Sequence, residues 1–225
     1  MVTPGAPDAP LTLGLLHTSP VHVPVFDGLR DASRPGLELR HLVAEELLDR
    51  ARVVGPDAVA PDVRDAVARV AGGGAVGAVL CTCSTIGGVA EAVGADVGVP
   101  VLRVDRPMAA AAVAEGARIV VLATVASTLG PTVTLVEEEA RRAGREVSVR
   151  AELVDGAWER FEAGDSVGCA EVVAGAVRGV RDADVIVLAQ ASMAPAQRLL
   201  SDGTVRVLSS PAPGFAAAVG LVEGP

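Results

Sequence analysis

Short runs of Val, Ile, Leu and Ala recur along the whole chain, and the stretches between them carry apolar residues at helical spacing. The apolar runs are LTLGLLH, GLELRHLV, GAVGAVLCT, VPVLRV, ARIVVLAT, REVSVRAELV, DVIVLAQ and TVRVLSS. Helical segments lie at 61–71, 86–95, 107–117, 127–144, 166–183, 194–203 and 214–222. Near-continuous apolar runs mark strands buried on both faces, and their alternation with helices predicts a parallel sheet covered on both sides. Only three Phe, one Trp and no Tyr are present, so the core must be built from small aliphatic side chains.

The pattern restarts at Arg118. TLGLLHTSP is similar to RIVVLATVAST, and AVLCTCSTIGG to VIVLAQASMAP. The reading is therefore an α/β fold of two pseudo-symmetric lobes, each with a mainly parallel sheet flanked by helices, and a cleft between them. Residues 1–10, rich in Pro, are expected to be a disordered tail. The first lobe is assigned to 11–107 plus 211–225, and the second to 108–210. Open parallel sheets bind ligands at the carboxyl ends of their strands, so four such ends are expected around one cleft.

Composition removes several kinds of chemistry. The sequence has no Lys, which excludes the usual pyridoxal-phosphate Schiff base, a P-loop and a Schiff-base aldolase. A net charge of −9 without a basic cluster, and few aromatics for stacking, argue against nucleic acid as a partner. The longest uncharged run, 70–90, is about membrane-spanning length but is broken by six Gly, so no membrane segment is expected. No secretory leader is evident at the start, and three Cys lack disulfide spacing, which points to a reducing cytoplasm. GGGAVG precedes a strand, whereas a dinucleotide fingerprint follows one.

CTCSTIGG carries the most chemistry. Cys83 falls where a strand ends and a helix begins, and backbone N–H groups at a helix N-terminus stabilise an anion there. Ser84 and Thr85 add hydroxyl donors. Cys81, two residues earlier, shares a strand face with Cys83 and is the working thiol if the strand ends sooner. His17 and His22 flank Pro20 after the first strand, as acid–base groups or as buried neutral imidazoles. Thr124, Ser127, Thr128 and Ser192 follow second-lobe strands, where they bind a carboxylate or serve as caps and turn residues. Cys169 lies mid-helix and is read as packing, and residues 155–158 as a loop. Cys-x-Cys is too narrow for usual zinc spacing, so no metal is expected.

AVLCTCSTI resembles the strand-ending Cys-Asn-Thr element of the aspartate/glutamate/hydantoin racemase superfamily, with Cys83-Ser84-Thr85 in its place. VLAQASM is similar to the family's second catalytic segment, Val-Leu-Gly-Cys-Ala-Gly-Met, which puts Gln190 where the second Cys stands. LLHTSP matches the Asp-Ser-Gly turn of glutamate racemases and places His17 near the first thiol. The resemblance covers residues 11 to about 215. It implies a cofactor-independent enzyme acting at the carbon α to a carboxylate of a small acid, with no metal or organic cofactor. Cys83, or Cys81 in its stead, is then the acid, base or nucleophile, His17 its partner, and Ser84, Thr85, Thr124, Ser127, Thr128, Gln190 and Ser192 the substrate-binding groups. Two-base racemases of the family use a Cys on each face of the reacting carbon, and Gln190 has no titratable proton. Single-Cys decarboxylation, cis–trans isomerisation, and a non-catalytic small-acid-binding module are the alternatives. Self-association into a homo-oligomer is compatible with the sequence.

Overall fold

The computed structural model describes residues 11–200 and 205–224. The expected disordered tail at 1–10 lies outside the described residues. In the first lobe, β1 (Thr12–His17), α1 (Val23–Ser33), β2 (Glu38–Val43), α2 (Glu45–Val54), α3 (Ala60–Ala71), β3 (Ala78–Cys81), α4 (Ser84–Val97) and β4 (Val101–Arg103) follow in order. Then come α5 (Arg106–Glu115), β5 (Arg118–Ala123), α6 (Ala126–Ala143), β6 (Ser148–Leu153), α7 (Ala157–Glu162), α8 (Ser166–Gly179) and β7 (Val185–Leu188). A 3-10 stretch (Ala191–Leu199), β8 (Arg206–Ser209) and α9 (Pro211–Glu223) close the chain.

The strands form two four-stranded sheets of order β2-β1-β3-β4 and β6-β5-β7-β8, with every pairing parallel. The sheets repeat even in register. Leu13 pairs with Ala78 in the first, and Ile119 with Val185 in the second. Cys83 follows Ala78 by the same number of residues as Gln190 follows Val185, so the two are equivalent by position. Thr18 and Thr124 are equivalent in the same way, each one residue beyond the end of β1 or β5.

Alternate strand residues feed separate cores, as the two-residue strand period requires. Leu16, Val79 and Cys81 pack with α2, α3 and α4, while Leu13, Leu15, Ala78 and Leu80 meet Phe26 of α1 and Phe215 of α9. In the second sheet Ile119, Val121, Val185 and Val187 pack with α5 and α6, and Val120, Leu122, Ile186 and Leu188 with α8. The small side chains predicted from composition set these helices close to the strands.

Helices α1, α2 and α7 were not predicted. No side-chain hydrogen bond caps any of them. The 155–158 segment, read as a loop, is a turn that opens α7 at Ala157. The expected helix at 194–203 is a 3-10 stretch over its described part. Among the described residues no helix is long and apolar enough to cross a membrane.

Helix α9 returns to the first sheet, and Gly214 makes this contact possible: a Cβ there would lie 2.3 Å from the Val104 carbonyl oxygen. Gly214→Ala should therefore cost about 2–3 kcal/mol, because the clash is with main chain that cannot step aside. Urea unfolding of the variant against the wild type measures it.

Candidate active site

The carboxyl ends of the two sheets face each other. Between them lies a cavity of about 40 Å³, lined by Thr18, Ser19, His22, Leu48, Arg52, Thr82, Cys83, Ser84, Thr85, Val125, Thr128, Trp158, Phe161, Gln190, Ala191 and Ser192. A water needs about 10–15 Å³ on this scale, so the cavity has room for only a few. It opens where the connections leave β1 and β3 in opposite directions, the switch point at which such sheets bind ligands.

Cys83 sits at the N-cap of α4 with extended backbone, half-buried and in the cavity wall. Gln190 has the same extended backbone at the start of the 3-10 stretch and lines the same cavity. The other two thiols are elsewhere. Cys81 is wholly buried in the first core and donates to the Cys83 carbonyl at 3.7 Å. Burial pushes its pKa far up, with the neighbouring Cys83 adding to the effect. Cys169 packs in the core beneath α8, and burial raises its pKa as well.

His17 is buried and does not line the cavity. Its Nδ1 is 2.8 Å from the Thr82 hydroxyl, which itself donates to the Leu16 carbonyl at 3.2 Å. The imidazole is therefore the donor to Thr82, and its Nε2 accepts from His41 Nδ1 at 2.9 Å. Burial, then the neighbouring His41 and His22, lower the His17 pKa to about 3. His22 does line the cavity, and burial lowers its pKa to about 4. Both imidazoles are neutral at pH 7.

Several of the expected carboxylate donors are engaged with one another across the lobes. Ser84 Oγ donates to the Ala189 carbonyl at 2.7 Å, and the Thr85 and Thr128 hydroxyls are 3.3 Å apart. Thr124 donates through its N–H and hydroxyl to Gln190 Oε1 and does not line the cavity. Ser127 is not a cap: Val125 holds that position, and Ser127 Oγ is buried without a partner among the described residues. Ser192 lines the cavity. Among the described residues no group of three or more His, Cys, Asp or Glu side chains is arranged to hold a metal ion.

Sequence reasoning missed Thr18, Arg52, Trp158 and Phe161. The Arg52 guanidinium, from α2, lies 4.6 Å from the centre of the Trp158 ring of α7, within reach of a cation–π contact. Its Nε and Nη2 are buried and have no hydrogen-bond partner among the described residues. These two atoms form one edge of the guanidinium, the edge that takes a carboxylate through two parallel bonds. Leaving such donors buried and unpaired is costly, so the edge is suited to an anion. The one signal for this wall was Trp158, the single Trp in a chain with few aromatic side chains.

The chain matches the family model for Asp/Glu/hydantoin racemase over residues 17–218. It belongs to that family. No curated protein matches it. Among solved structures, a glutamate racemase isoform from Bacillus anthracis superposes with a TM-score of 0.68 at 17% identity, covering 95% of this chain and 82% of that one. An aspartate racemase from Picrophilus torridus gives 0.66 at 13%, covering 95% and 93%. An arylmalonate decarboxylase gives 0.56 at 19%, also covering 95% and 93%. At these identities the likeness is one of fold: two parallel four-stranded sheets in two lobes.

Two predictions follow from this geometry. Under native conditions a thiol reagent should modify Cys83 alone, with Cys81 and Cys169 reacting only after unfolding; peptide mass mapping reads this directly. The second concerns pH. His17 and His22 have folded pKa values below their ordinary 6.5, so the unfolded chain binds more protons between those values. Their stabilising effect is complete above pH 6.5 and is lost as pH falls toward 4 and then 3. The loss is on the order of 1 kcal/mol per pH unit for each group. Urea midpoints from pH 7 to pH 4 should fall, and His22→Gln should flatten the slope.

Proposed function

We propose that this protein is a cofactor-independent enzyme that works at the carbon next to a carboxylate of a small acid, with Cys83 delivering or removing the proton from one face. The observation that carries this is the asymmetry of the cavity. Its titratable side chains, Cys83, His22 and Arg52, all come from the first lobe. The second lobe contributes Val125, Thr128, Trp158, Phe161, Gln190, Ala191 and Ser192, none of which is an acid or base at neutral pH.

The substrate carboxylate is held by Arg52, by Ser192 and Thr18, and by the N–H groups at the start of α4. When a bond at the neighbouring carbon breaks and leaves its electron pair behind, the charge moves onto carboxylate oxygens. Fixed donors around those oxygens are the main source of stabilisation. The Cys83 thiol then protonates the carbon, and the thiolate recovers a proton from water. One-sided delivery is sufficient for a decarboxylase or a cis–trans isomerase.

Racemisation is the second reading, and His22 favours it: a neutral imidazole lines the same cavity and is able to accept a proton. His17, one hydrogen bond behind the Thr82 hydroxyl, is then a residue that orients its neighbours.

Proton NMR of small α-substituted acids in deuterium oxide separates these chemistries. Carboxylate loss with one deuterium placed stereospecifically, or double-bond isomerisation, is expected; exchange with loss of optical purity marks racemisation. Cys83→Ser should lower turnover by about 10²–10⁴-fold, the usual worth of a positioned acid or base. Unchanged turnover in Cys83→Ser overturns the role of the thiol. Acids that bind but are never transformed leave a small-acid-binding module.

A further inference from the structure

Gln190 stands where the first lobe has Cys83, and its side chain does something Cys83 does not. Its Oε1 accepts two hydrogen bonds from one residue, the Thr124 N–H at 2.6 Å and the Thr124 hydroxyl at 3.1 Å. Because both groups donate, the carboxamide orientation is settled, with oxygen on Thr124. Two converging donors at the carboxyl end of β5, just before α6, are also what one carboxylate oxygen would take. The equivalent residue of the first lobe, Thr18, lines the cavity; Thr124 does not, because Gln190 lies on it. With the carboxamide in that place, the cavity is only about 40 Å³.

We propose that Gln190 is a gate: its carboxamide occupies the Thr124 donors that receive a carboxylate oxygen of the substrate, and its displacement sets which acids are admitted. This rests on the small-acid reading of the cleft. The exchange is favourable in direction, since the same donors bind an anionic oxygen about twice as strongly as a neutral amide oxygen. Gln190 itself lines the cavity, so a bulky acid competes with it for volume as well as for donors. Gln190 is thus a specificity-determining residue, and its replacement of a shorter side chain closes the second-lobe half of the site.

Trp158 lines the cavity and is the only Trp in the sequence, so its emission reports occupancy. The wild type, Gln190→Ala and Gln190→Leu are titrated with acetate and with phenylacetate, after circular dichroism and melting curves establish that each is folded. Gln190→Ala should bind both acids about tenfold tighter, the worth of one net hydrogen bond no longer displaced, with the larger gain for phenylacetate. Gln190→Leu frees the donors but keeps the bulk, so acetate should gain and phenylacetate should not. Adding Thr124→Val to Gln190→Ala removes the hydroxyl and keeps the N–H, so it should reverse part of the gain. Equal affinities in the wild type and Gln190→Ala, or indifference to Thr124→Val, overturn the gate while leaving the small-acid reading in place. Binding of neither acid to any of these proteins overturns both.

Discussion

The whole arrangement depends on a few buried hydrogen bonds that hold the carboxyl ends of two separate sheets face to face. Ser84 reaches across to the Ala189 carbonyl, and Thr85 meets Thr128 where the first turns of α4 and α6 pack together. These groups are out of water, so parting the lobes partway would leave each donor or acceptor without a partner, at a cost of about 1–3 kcal/mol apiece. The cleft is therefore held at one width, and residues on opposite sides of it stay within reach of one small ligand.

Charge reinforces the same junction. Arg103 is buried and bound by Asp105 through two hydrogen bonds, 2.6 and 3.0 Å long. Its Nη2 also reaches the carbonyls of Ser84 in α4 and Pro131 in α6, one from each lobe. The approach requires a residue without a side chain at Gly87, where a Cβ would stand 3.0 Å from Arg103. Nearby, Arg106 ties Glu91 of α4 to Glu138 and Glu139 of α6. A buried guanidinium held by a carboxylate and two carbonyls contributes position more than net stability, because its desolvation offsets much of the attraction. What it positions here is the turn that carries Cys83.

On this symmetric frame the two lobes have diverged in chemistry. Matching register makes Cys83 and Gln190 counterparts, yet one is a thiol open to the cavity and the other a carboxamide folded onto Thr124. His17 has Ala123 as its counterpart at the end of β5. The first lobe thus carries the thiol and the imidazoles, and the second carries walls and hydrogen-bond donors. Arg52, with its guanidinium over the Trp158 ring, lines the cavity between α2 and α7.

The sequence by itself determined the strand–helix alternation, the repeat and the thiol at a strand end. Each is a local property: uninterrupted apolar runs, the restart at Arg118, and a Cys followed by small polar residues all act within a few positions along the chain. Tertiary structure alone decided which of the candidate groups face the cavity. Cys81 and Cys83 share a strand direction, but β3 ends at Cys81 and leaves that thiol in the core. His17 looked like a partner to the thiol and is instead tied to Thr82 and His41 from other elements. Arg52 and Trp158 belong to helices without a side-chain cap and lie far apart in sequence, so nothing local marks them as one wall. The physical reason is the same in each case: period and propensity set where a side chain points relative to its own backbone, whereas burial and partners depend on elements that only the packed lobes bring together.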